Sequence, residues 1–89
     1  MFQVVWVERA VNELAELWVQ ADSDGRRSIT EAADTMDKIL ETKPFESSES
    51  REEGLRVMFV PPLGVFFEVD LSSETVKVAH VWRYRGPRT

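Results

Sequence analysis

The residues able to do chemistry in this 89-residue sequence are few. There is one histidine, His80 in VAHVW, and no cysteine. A hydrolytic site needs a nucleophile, a base and a group that orients the base. A lone histidine on an apolar strand face instead suits a core or edge side chain with one hydrogen bond. Metal ligands are equally scarce, because zinc sites draw on clustered Cys and His and calcium sites on carboxylates at fixed loop spacing. Asp22 and Asp24 precede Gly25, but no glutamate follows at the calcium-loop distance, so this stretch reads as a turn. Neither GxGxxG nor the GxxxxGK phosphate loop is present. What remains is basic and aromatic: Arg56 inside GLRVMFVPPLGVFFEV, and Arg83, Tyr84 and Arg85 in VWRYR.

Charge limits what such residues can bind. The net charge is −5, and residues 1–53 carry 13 Asp/Glu against 6 Lys/Arg. Residues 54–89 carry 3 against 5, so a local positive patch is confined to the C-terminal part. The field of the whole chain repels nucleic acid, since phosphate binding depends on Lys and Arg displacing counterions.

These side chains must be positioned by one small domain spanning 1–89. Apolar content of 43% supports a packed core, and no apolar run approaches the roughly 20 residues that span a bilayer. With no secretory signal and no cysteine, the cytoplasm is the expected compartment. FQVVWV (2–7) is β-branched and aromatic and predicts a strand. Val11, Leu14, Ala15 and Trp18 then repeat with helical period, which places Trp18, like Trp6, in the core. Asp22 to Gly25 ends that helix. Ser28 and Glu31 match a capping box and predict the start of a second helix, stopped by Pro44. Residues 44–53, PFESSESREE, read as a mobile polar loop. Three strands follow at about 54–60, 64–71 and 75–83, joined by short turns, so they form an antiparallel meander. The expected fold is α+β: β-α-α-β-β-β, a two-helix hairpin packed on one face of a small, mainly antiparallel sheet.

Alternation along the strands assigns faces. Leu55, Val57 and Phe59 are expected beside Val65, Phe67 and Val69 under the helices, joined by Val76, Val78, His80 and Trp82. Arg56, Met58 and Val60 then fall on the helix-free face with Lys77, Ala79, Val81 and Arg83. Setting these apolar sets side by side places Val57 near Phe67 and Arg56 near Glu68, giving a cross-strand charge ladder of Arg56, Glu68 and Lys77. The same face also carries Phe66 and other apolar residues, the composition of a partner-binding surface.

The pattern resembles the RelE/ParE superfamily of type II toxin–antitoxin toxins over nearly the whole chain. The likeness runs from FQVVWVERAVNELAELW through AADTMDKIL and its following proline. It is strongest in SREEGLRVMFVPPLGVFFEV and VKVAHVWRYR. The resemblance implies one of two activities. RelE-like members cleave messenger RNA in the ribosomal A site without a metal or other cofactor, whereas ParE-like members poison DNA gyrase and cut nothing. Both kinds are held by a cognate antitoxin, and a third reading is an inactive member serving only as an interaction module. In the nuclease reading Arg56 matches the strand arginine that contacts phosphate, a role suited to a planar, permanently charged guanidinium. Arg83 and Arg85 match basic positions that stabilise developing phosphoryl charge. Tyr84 stands where some members place a tyrosine. A phenol ordinarily titrates near about 10, so base catalysis at neutral pH requires a depressed value.

Two departures bear on which activity is implied. Gly64 stands where many members carry an arginine, and ESSESREE stands where RelE-like nucleases carry lysines. Both weigh towards the binding reading.

Overall fold

The computed structural model describes residues 1–52 and 54–84. In chain order the elements are β1 (Gln3–Trp6), α1 (Glu8–Gln20), α2 (Ser23–Thr42), β2 (Glu49–Ser50), β3 (Leu55–Val60), β4 (Leu63–Asp70) and β5 (Thr75–Arg83). They build one five-stranded sheet in the order β1-β5-β4-β3-β2. β1 runs parallel to β5, and the other pairs are antiparallel. The two helices cover one face, giving the expected α+β layers. No helix among the described residues is long and apolar enough to cross a membrane.

Helix α2 meets the sheet through the stripe its sequence displays, whereas α1 does so through Ala10, Leu14 and Leu17, leaving Val11 and Ala15 of the expected stripe exposed. Ala10 of α1 and Ile29, Ala32, Met36 and Leu40 of α2 are buried against Met58, Leu63, Val65, Phe67, Val76, Val78 and Val81. Trp6 packs at the rim of this core, where its indole N–H donates to Asp37 at 2.8 Å. Trp18 lies elsewhere than its spacing predicts. It is 43% exposed, with the Arg26 guanidinium 4.4 Å over its ring. The face that α1 turns to the core runs through Ala10, Leu14 and Leu17, which leaves Trp18 outside it, and Arg26 covers the indole instead. Arg26 also donates to the carbonyl of Trp18, which accepts from the Ala21 amide as well, and to that of Val19, at the end of α1.

α2 starts six residues earlier than the capping box at Ser28 indicates. Asp22 is the N-cap, its carboxylate accepting from the Gly25 amide at 2.8 Å. An aspartate with a free β-conformation outcompetes an internal serine for this role, and the helix continues through Ser28. Within the expected mobile loop, the described residues 44–52 carry defined structure. A turn at 44–47 leads into β2, which pairs Glu49 with Val57 and Ser50 with Arg56.

Register reverses the expected faces of β3. The hairpin between β3 and β4 holds only Pro61 and Pro62, so Val60 stands opposite Leu63, Met58 opposite Val65 and Arg56 opposite Phe67. The expected register, with Arg56 beside Glu68, is offset from this by one residue, and one residue of slip exchanges the two faces of a strand. Arg56, Met58 and Val60 therefore point to the helix side, and Leu55, Val57 and Phe59 to the open side. The ladder loses its first rung, since Glu68 stands opposite Leu55; Glu68 and Lys77 do pair.

A bulge in β5 produces the second reversal. Phe67 pairs with Val78 while Phe66 pairs with His80, leaving Ala79 as the extra residue. Val76 and Val78 face the helices as expected. Beyond the bulge the alternation is inverted, so His80 and Trp82 face the open side while Val81 and Arg83 face the helix side.

Candidate functional site

The basic residues singled out in the sequence do not converge. Arg56 sits near the start of β3 on the helix side, and the turn after α2 closes over it. Its Nε donates to Ser48 Oγ at 2.7 Å, and its Nη2 donates to the Ser48 carbonyl at 3.1 Å and weakly to that of Phe45 at 3.4 Å. Its Cζ lies 5.1 Å over the Phe45 ring. Ser48 Oγ in turn donates to the Pro44 carbonyl, so the guanidinium ties three points of the 44–48 turn to β3. The sequence placed Arg56 on the helix-free face, where a phosphate has room. The two-residue hairpin turns it instead towards protein acceptors.

Arg83 is exposed at the end of β5, two strands away from Arg56 and four residues further along the sheet. Ordinary strand spacing puts roughly 16 Å between their Cα atoms. Arg83 borders a groove of about 730 Å³ with Glu8, Arg9, Asn12, Glu13 and Glu16 of α1. Carboxylates here outnumber guanidinium groups. Glu13 fills a gap in the sheet: β1 pairs with only the first part of β5, and the Glu13 carboxylate accepts from the Val81 amide at 3.2 Å. Its other oxygen lies 3.5 Å from His80 Nδ1. His80 is half-buried on the open side, an edge histidine with one polar contact.

Tyr84 is the one described member of the expected set on the open face, and Arg85 lies outside the described residues. The Tyr84 amide donates to the Pro62 carbonyl at 2.6 Å, which extends the β4–β5 ladder by one bond. Its ring stands 4.4 Å from that of Phe59, centroid to centroid. The open face continues as a set of aromatic side chains. Phe59 meets Trp82 edge-on at 6.1 Å, Trp82 meets Phe66 at 4.8 Å, and Phe66 meets His80 edge-on at 6.4 Å. Gly64 makes this arrangement possible. A Cβ there would stand 2.7 Å from the indole of Trp82, which lies across β4 at that point. The sequence pointed to a partner-binding surface on this face through Phe66 but placed Phe59 under the helices and left Trp82 as core edge or partner contact. The available signal was Gly64 in an otherwise large-residue strand, which marks close approach of a neighbour.

A two-helix hairpin on a β1-β5-β4-β3-β2 sheet is the fold of RelE and ParE proteins. The chain superposes on a chain of the RelBE2 toxin–antitoxin complex of Mycobacterium tuberculosis with a TM-score of 0.77 and 15% identity, covering 96% of this chain and 93% of that one. It superposes on the chromosomal ParDE system of P. aeruginosa with a TM-score of 0.72 and 15% identity, covering 96% and 98%. With the isolated E. coli RelE toxin the TM-score is 0.64 at 16% identity, covering 99% and 89%. No family model and no curated protein matches by sequence. The likeness is one of fold. It extends to both RelE and ParE structures and does not select between them.

Proposed function

We propose that this chain is the toxin-type member of a toxin–antitoxin pair, held by a cognate antitoxin, and that it acts by binding a protein target without cutting RNA. The fold supports the first part, since its solved neighbours include RelE and ParE structures, several of them complexes with an antitoxin. One observation carries the second part: the Arg56 guanidinium is engaged by Ser48 and Phe45 on the helix side, far from Arg83. Metal-free cleavage of a phosphodiester needs several donors converging within hydrogen-bond reach of one phosphate. Two guanidinium groups two strands apart, with roughly 16 Å between their Cα atoms, do not supply that. DNA gyrase, the target of ParE-like proteins, is the first candidate, and the ribosome with its messenger RNA the second.

Induced expression should arrest growth, and co-expression of the antitoxin should relieve it. Programmed ribosomes incubated with the purified protein should yield no new mRNA ends, whereas gyrase supercoiling should be inhibited. New ends at A-site codons would overturn the binding reading, and absence of any growth arrest would remove the toxin reading itself.

A further inference from the structure

The aromatic surface of the open face is not covered by any other described part of the chain. Phe59 is 40% exposed, and Trp82, Tyr84 and Phe66 are half-buried around it. The strand positions of this face carry Glu49 opposite Val57, Glu68 opposite Lys77, and Asp70 beyond. Lys77 is the one cation among those strand positions, and it already faces Glu68. Three chemistries can be weighed against this surface. A nucleic acid would stack its bases on the rings but bring phosphates against uncompensated carboxylates. A purely aliphatic segment would cover the rings and strip water from the carboxylates without replacing it. A guanidinium satisfies both, because its plane stacks on aromatic faces while its N–H groups donate to carboxylates.

We infer that this face recognises an arginine-bearing segment of a protein partner, the guanidinium lying on the rings of Phe59, Trp82 and Tyr84 and donating to the Glu49 carboxylate, which lines one groove with Phe59. The inference rests on reading the chain as a protein-binding toxin and names the chemistry of what that toxin binds. It also accounts for Gly64. Where an arginine side chain would project from β4, glycine lets Trp82 lie flat, so the cation is supplied by the partner.

The full chain, labelled with ¹⁵N, is titrated with three probes while the indole N–H resonance of Trp82 is followed. The probes are a decapeptide of alternating Arg and Ser, its Lys counterpart, and decauridylate. The arginine peptide should shift the resonance and saturate, with the lysine peptide weaker because an ammonium does not stack. Affinity should fall as salt rises from about 50 to about 300 mM, since the carboxylates are exposed. By calorimetry, Phe59→Ala and Glu49→Gln should each weaken the arginine peptide by roughly three- to tenfold. Gly64→Ala, which displaces the Trp82 ring, should do the same. Phe59 is exposed enough for its variant to fold, so the test does not hang on the glycine. No shift with the arginine peptide, or binding of decauridylate in its place, overturns the inference. Growth arrest that persists without peptide binding overturns it alone and leaves the toxin reading standing. Peptide binding without growth arrest does the reverse.

Discussion

Replacing Arg56 with alanine separates its two candidate roles. If the guanidinium anchors the 44–48 turn, its loss removes a 2.7 Å bond to Ser48 Oγ, a 3.1 Å bond to the Ser48 carbonyl and the stacking on Phe45. The 3.4 Å contact to the Phe45 carbonyl is too long to add much. Hydrogen bonds to charged groups contribute about 1.5–3 kcal/mol each when shielded, but Arg56 is only half-buried, so the two good bonds are discounted. Stacking adds about 0.5 kcal/mol. The expected loss is about 1–3 kcal/mol, a substantial share of the roughly 5–10 kcal/mol available to a chain of this size. The urea midpoint should fall by about 1 M. The amides of Arg51 and Leu55, which close the turn onto β3 through Leu55 O and Glu52 O, should exchange faster. Lysine at this position should restore less than half of the loss, because one ammonium cannot reproduce the Nε and Nη2 pair. Growth arrest in the variants should decline only as far as folding does. An unchanged midpoint and unchanged exchange, accompanied by complete loss of growth arrest, would refute this reasoning and return Arg56 to a phosphate- or target-binding role.

Three further outcomes follow from contacts elsewhere. Arg26→Ala should lower stability by about 1–2 kcal/mol in thermal unfolding, since it uncaps the Trp18 and Val19 carbonyls and uncovers the Trp18 ring. Glu13→Ala should expose the Val81 amide at the open edge of β5, speeding its exchange and producing concentration-dependent self-association in analytical ultracentrifugation. The Asp70 carboxylate is held below the ordinary carboxylate range by hydrogen bonds from the Ser72 hydroxyl and the Ser73 amide. Its contribution is therefore present above the unfolded-state pKa of about 4 and is lost as pH falls through the lowered folded value. Below pH 4, wild type should lose thermal stability more steeply than Asp70→Asn, and coincident pH profiles would refute the assignment.

Much of the architecture is legible in the residues themselves. The stripe of α2, the stop at Pro44 and the β-branched strands are local signals that reappear in the structure, whereas α1 turns Ala10, Leu14 and Leu17 to the core and leaves Val11, Ala15 and Trp18 exposed. Asp22 as N-cap was equally local, but two competing caps lie within seven residues, and the choice between them depends on how far α1 runs before it must turn back. The order of elements and the two-layer arrangement follow, since a chain this short has few ways to bury two apolar stripes against one sheet.

The disposition of the candidate site was not local. Whether Arg56 faces the helices depends on the length of the Pro61–Pro62 turn, because strand alternation has period two and a single residue reverses every side chain. Whether His80 and Trp82 join the core depends on the bulge at Ala79, which inverts the alternation midway along β5. The sequence by itself determined which residues alternate and which elements form. Only the tertiary structure decided which face each set occupies, because hairpin register and the bulge arise from packing between strands, and neither is written in the periodicity of one strand.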